Sequence, residues 1–146
     1  MTITRADIVE RARRWIGTPY HHQAARRGVG CDCVGLIRGL HADLYGTPLL
    51  PAAAYRADWA EVSPRERLME ALSLHLRQCE TREPLPGDVL VFRWRTHLPA
   101  KHAAVMSASN LMIHVLEGGA VCEVVFAAAW RMRLAACYAF PGLVSE

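Results

Sequence analysis

Long hydrophobic runs are missing from this 146-residue sequence: no apolar stretch reaches the roughly 18 residues that would cross a bilayer. Membrane insertion is therefore not expected. The N-terminus, charged at Arg5, Asp7, Glu10 and Arg11, lacks the apolar core of a secretory signal, so synthesis is expected to end in the cytoplasm. Cysteines are few and odd in number. Cys31, Cys33, Cys79, Cys122 and Cys137 have no paired secretory spacing, which argues against a disulfide framework and leaves at least one thiol free. A strong charge of one sign is also absent: 17 basic residues against 14 acidic ones leave +3, too little to build a nucleic-acid groove. Repeats, linkers and low-complexity tracts are lacking, and the length suits one core, so residues 1–146 are expected to form a single domain.

What is present is an ordered set of helix and strand signals. Thr4 with Asp7 is a variant of the capping box, and Ile8, Val9, Ala12, Trp15 and Ile16 share one helical face before Gly17. A loop through His21, His22, Gly28 and Gly30 leads to Cys31, Asp32 and Cys33. From Cys33 the apolar residues Leu36, Ile37, Leu40 and Leu44 recur at helical spacing until Gly46 and Pro48. Pro48 to Asp58 reads as irregular. Ser63, Pro64 and Glu66 then mark the start of a third helix running to about Leu76. After the turn Pro84 to Asp88, short β-branched and apolar runs follow: Val89 to Trp94, His102 to Met106, Leu111 to Leu116, Val121 to Phe126 and Leu134 to Phe140. Helices first and strands after predict an α+β domain, its helices packed on a C-terminal antiparallel sheet, because short loops between strands leave no room for crossovers.

A thiol attacks as thiolate, and a helix N-terminus favours that state through its unpaired amides and dipole. Cys33 occupies such a place, with its own amide directed where an oxyanion would form. Its base must be a nearby side chain held in the right tautomer by a third group. His102 and His114 flank Ser107 to Asn110, which reads as a hairpin turn, and lie symmetrically about Ala108. An odd-length loop would make them directly opposed partners on one face. An even-length loop would separate them unless a bulge intervened. His97, in a proline-flanked loop, is the alternative base. His41 and His75 read as ordinary helix-associated residues, and Cys79, Cys122 and Cys137 as small buried hydrophobes. Cys31 and Cys33 with His21 and His22 form a weaker metal-site alternative, since zinc cysteines usually stand farther apart. Asp32 reads as a helix N-cap.

Taken together, Gly17-Thr18-Pro19-Tyr20, Asp32-Cys33-Val34-Gly35-Leu36, Pro86 to Phe92 and His102 to His114 resemble the NlpC family of papain-like cell-wall endopeptidases. The longer strings Gly30 to Leu36, Pro86 to Trp94 and Ala100-Lys101-His102 are more particularly similar to the branch found among tail genes of phages and gene transfer agents. The resemblance implies a papain-like fold and one catalytic peptidase domain, without cofactor or catalytic metal. It implies Cys33 as nucleophile, His102 as base, His114 as the orienting group, Tyr20 as a second oxyanion donor and Asp32 as a recogniser of the stem peptide's amino end. The implied substrate is the peptidoglycan stem peptide, at the bond from D-glutamate's γ-carboxyl to a diamino acid. Implied partners are tail-tip or baseplate proteins of a particle that carries the enzyme to the periplasm or wall of a target cell. Departures are Val34 where the family commonly has serine, His21, His22 and Gln23 where it has small residues, and Ala103-Ala104 after the base. Gln23 is an alternative oxyanion donor. An acyltransferase or amidase on the same fold, or an inactive structural tail component, are the competing readings.

Overall fold

Two capped helices open the chain. Thr4 Oγ1 accepts from the Asp7 amide at 3.1 Å while Asp7 Oδ2 accepts from the Thr4 amide at 2.9 Å, so the expected capping box starts α1 (Arg5–Arg13). The helix stops short of Gly17. Beyond Arg13 the backbone tightens to bonds spanning three residues, such as Trp15 N to Ala12 O and Ile16 N to Arg13 O. Each residue then turns further around the axis, so Trp15 stays buried while Ile16 rotates outward and is 45% exposed. Asp32 caps α2 (Cys33–Tyr45), and Gly46, at φ 80°, ends it in the left-handed conformation that glycine tolerates. The predicted apolar stripe of α2, Leu36, Ile37, Leu40 and Leu44, is buried throughout.

The computed structural model describes residues 2–46, 66–79 and 83–144. The Pro48 to Asp58 stretch and the Ser63-Pro64 start signal lie outside these. The third helix is seen as α3 (Arg67–Ser73), with Glu66 at its N-cap rather than inside its first turn. Two short strands before α2, β1 (Ala25–Arg26) and β2 (Gly30–Cys31), pair as an antiparallel ribbon. The main sheet contains β3 (Arg77–Cys79), β4 (Val89–Phe92), β5 (His102–Ala108), β6 (Leu111–His114), β7 (Cys122–Val125) and β8 (Leu134–Ala139). Its order is β3-β8-β4-β5-β6-β7, with antiparallel pairing throughout. A short α4 (Ala128–Arg131) lies between β7 and β8.

Period-two alternation sorts the sheet into two faces. Val89, Val91, Ala103, Val105 and Ile113 join Leu36, Ile37 and Leu40 in the main core, where the helical layer packs. Leu90, Phe92, Ala104, Met106 and Met112 join Phe126 and Cys137 in a smaller core on the other face. This is the expected α+β arrangement. Cys137 is buried as expected and Cys79 half-buried, but Cys122 is exposed, because β7 is an edge strand covered on one side only.

Candidate active site

The start of α2 is held by its neighbours from both sides. Asp32 Oδ1 accepts from the Gly35 amide at 2.6 Å, and its Oδ2 accepts from the Gln23 amide at 2.7 Å. Gln23 takes φ 63°, so the loop turns sharply onto the helix. A side chain at Gly35 would have to pass through it: a Cβ there would sit 1.8 Å from the Ala24 carbonyl oxygen. Asp32 is thus both cap and clamp, with little exposed surface and with His22 Nδ1 3.6 Å from its outer oxygen. Tyr20 bridges to Cys31 and donates its amide to Gly119 O at 2.9 Å. Its phenol is pushed up to about 12, by burial first and then by the fields of Asp32 and Cys33.

Cys33 points its sulfur at the first residues of β5. Sγ donates to the Lys101 carbonyl at 3.6 Å, and the amide of Ala103 is directed at the same sulfur. The thiol therefore lies against the main chain on both sides of His102. Its proton is tightly held: burial, followed by the Asp32 charge, pushes the thiol up to about 12. The amides of Ala103, Val34 and Cys33 act in the opposite direction, as a helix N-terminus should, but they lose to desolvation. The expectation of a thiolate set by the helix dipole is corrected here, because burial outweighs the dipole.

His102 and His114 are buried and hydrogen-bonded, Nε2 of the first to Nδ1 of the second at 3.0 Å. The route to this contact differs from the symmetric hairpin. The loop is the even-length pair Ser109-Asn110, closed by Ala108 opposite Leu111, and a bulge at Ser107 shifts the register so that Met106 faces Met112 and Val105 faces Ile113. One step further sets Ala104 opposite His114, so the histidines are diagonal neighbours on one face rather than directly opposed.

Aromatic rings enclose the pair. Trp94 stacks on His102 with centroids 5.1 Å apart, Trp130 stacks on it at 5.6 Å, and Trp130 meets His114 edge-on at 5.2 Å. Burial in this apolar wall, with His114 beside it, lowers His102 to about 3, and burial lowers His114 as well. Both imidazoles are therefore neutral near pH 7. Neither tryptophan was singled out by the sequence reasoning. Trp94 could have been suspected, since it ends a strand run before His102, whereas Trp130 depends on α4, for which no sequence signal was read. His97 is exposed. Among the described residues, Cys31, Cys33, His21 and His22 do not converge as metal ligands. His41 is buried on α2 and packs on Tyr45, with centroids 4.6 Å apart.

A thiol at a buried helix start, set against the first of two neighbouring strands that share a histidine pair, defines the papain-like α+β class. The chain belongs to the NlpC/P60 family, whose model matches residues 17–138 and so spans every site residue above. No curated protein sequence is detectably similar to it. Among solved structures, the NlpC/p60 domain of the peptidoglycan hydrolase SagA superposes with a TM-score of 0.64 at 17% identity, covering 94% of this chain and 100% of that one. An NlpC/P60 family protein from Bacillus cereus gives 0.71 at 17% identity, covering 96% of this chain and 41% of its own. NlpC2 from Trichomonas vaginalis gives 0.66 at 16%, covering 93% and 46%. The chain thus spans the whole SagA domain but less than half of the other two. Members of the family are cysteine peptidases and hydrolases.

Proposed function

We propose that this chain is a cysteine peptidase that hydrolyses peptidoglycan stem peptides, with Cys33 as nucleophile, His102 as general base and His114 as the group that orients the base. The observation that carries this reading is the placing of the Cys33 sulfur against Lys101 O and the Ala103 amide, on either side of a histidine already bonded to a second histidine at 3.0 Å. With thiol and imidazole both neutral at rest, attack requires the proton to leave Sγ for His102 Nδ1 as the S–C bond forms. The resulting oxyanion is met by the Cys33 amide and the Tyr20 side chain. His102 returns the proton to the departing amine, leaving a thioester. Water then attacks, giving its proton to His102, and the thiol is regenerated. Asp32, buried as a cap beside the nucleophile, would meet the substrate's amino group with its carboxylate. The bond proposed for cleavage joins D-glutamate's γ-carboxyl to a diamino acid, and residues 1–146 act as one catalytic domain.

The strings Gly30 to Leu36, Pro86 to Trp94 and Ala100 to His102 support placing the enzyme in the tail-associated branch of phages and gene transfer agents. In that setting the particle assembles the protein through tail-tip or baseplate contacts and delivers it to the target wall. Among the described residues, no helix is long and apolar enough to cross a membrane. Incubation with purified peptidoglycan, followed by mass spectrometry of the fragments, tests the chemistry. Cleavage within the stem, lost in Cys33→Ala, is expected; intact stems bearing transferred acyl groups would favour an acyltransferase instead. Cys33→Ala should also leave particle assembly unchanged, and failure of assembly would favour a structural role.

A further inference from the structure

A second group of reactive side chains lies elsewhere on the sheet. Cys79 on edge strand β3 is the direct register partner of Cys137 on β8, and Asp88 enters from the turn before β4. The two sulfurs and a carboxylate oxygen all lie within 4.8 Å of one another, and Cys137 Sγ donates to Asp88 Oδ2 at 3.4 Å. Asp88 is fully buried, Cys137 buried and Cys79 half-buried. The proposed mechanism uses none of the three.

We propose that Cys79, Asp88 and Cys137 form a binding site for a thiophilic divalent cation, zinc above all, that fastens the edge strand to the sheet. Tetrahedral zinc, with bonds of about 2.3 Å to sulfur and about 2.1 Å to oxygen, separates two sulfurs by about 3.8 Å and sulfur from oxygen by about 3.6 Å. The observed 3.4 Å and the 4.8 Å limit are close enough that shifts of well under an ångström suffice. Charge also balances. Two thiolates and a carboxylate carry −3, the cation +2, and Arg5, whose Nη1 donates to Asp88 Oδ1 at 2.7 Å, supplies the last positive charge. Arg5 and the Leu85 amide, at 2.8 Å from Oδ2, fix the carboxylate's orientation as outer partners of a metal ligand do. On binding, each thiol releases its proton to solvent as its metal bond forms. Cys79, being half-buried, leaves the fourth position open to water. Thiolates select zinc over magnesium or calcium, which prefer oxygen.

The test uses the whole purified chain, stripped with a chelator and reloaded with zinc or with cobalt(II) as a spectroscopic stand-in. About one zinc per chain is expected, with a higher melting temperature on reloading, and a sulfur-to-cobalt charge-transfer band in the near ultraviolet. Metal and band should persist in Cys33→Ala and be lost in Cys79→Ser and in Cys137→Ser. Cys79 is the milder change should Cys137→Ser fail to fold. Less than about 0.1 zinc per chain after reloading would overturn the proposal. So would a band that survives both serine variants but vanishes in Cys33→Ala, or a Cys79–Cys137 disulfide forming in air in preference to metal binding. Because these readouts are metal content and spectra, they stand or fall separately from wall digestion.

Discussion

Replacing His114 with alanine would cut the 3.0 Å contact to His102 Nε2 and leave that nitrogen, on a residue 3% exposed, without its partner. The direction of the contact matters. For His102 Nδ1 to accept the thiol proton, Nε2 must carry the hydrogen and donate it to His114 Nδ1, which then acts as acceptor. Losing that acceptor frees the ring to turn and to adopt the unproductive tautomer, which costs about 10² to 10⁴ in rate when comparable orienting groups are removed. Stability should fall by about 1–3 kcal/mol for the orphaned nitrogen, or roughly 2–4 °C in Tm per kcal/mol for a chain of this size. Asparagine offers a separate reading of the two effects, since its Oδ1 stands as many bonds from the backbone as Nδ1 and can accept the same hydrogen. The assay pairs dye release from labelled peptidoglycan, per folded molecule, with urea unfolding. His114→Ala is expected to lose at least about a hundredfold in kcat/KM, and His114→Asn to recover most of it. An alanine variant that is less stable yet digests wall within threefold of wild type would refute the orienting role.

The buried neutral histidines make stability pH-dependent. His102 titrates near 3 in the folded chain against 6.5 unfolded, so its contribution is complete above about 6.5 and is lost as pH falls toward 3, by up to about 1.4 kcal/mol per unit. Urea midpoints that were equal at about pH 7.5 and about pH 5 would contradict this. The Cys33 thiol, held near 12 by burial and the Asp32 charge, should be alkylated by iodoacetamide at a rate still rising above pH 9, and Asp32→Asn should move that rise downward. A rate already level at neutral pH would mean a preformed thiolate. Gly35→Ala, whose Cβ meets Ala24 O at 1.8 Å, should cost about 1–3 kcal/mol and also depress activity per folded molecule, because the loop that clamps Asp32 must retreat. Gly39→Ala meets the Trp15 ring at 2.1 Å and should lose comparable stability while leaving that activity intact, so equal activity losses in both would argue against a specific role for the clamp.

The starts of α1 and α2, and with them the placing of Cys33, were readable because they depend on near neighbours in sequence: Thr4 with Asp7, and Asp32 with Gly35, are bonds three residues apart. The strand runs were readable from their alternation and β-branched content. What escaped was set by distant contacts. The Ser107 bulge follows from matching Met106 to Met112, and no local residue announces it. Edge strand β3 is formed of Arg77, Gln78 and Cys79, which carry little strand character and are recruited by pairing with β8. The tryptophan wall around His102 draws on residues 94 and 130, which meet only after α4 folds. The thiol's state was misjudged for the same reason, since desolvation depends on what β5 brings over Cys33.

The two faces of the sheet explain why the site stands at the end of a strand. Ala103, next to His102, faces the helical layer with Cys33, whereas His102 and His114 share the opposite face with Ala104, Met106 and Met112. A sulfur rising from the helical side can approach an imidazole on the far side only where the strand begins, with no earlier residue of β5 in between. His102 is that first residue. The same alternation protects the histidine pair. Slipping β6 by one residue would turn His114 away from His102, but it would also exchange Met112 and Ile113 between the two cores, forcing two fully buried side chains into space shaped for the other. At about 1–3 kcal/mol for each misfitted side chain, that is a sizeable part of a domain's net stability. The Ser107 bulge is therefore held in place by the hydrophobic core, and through it the pairing of the histidines is fixed by residues that take no part in the chemistry.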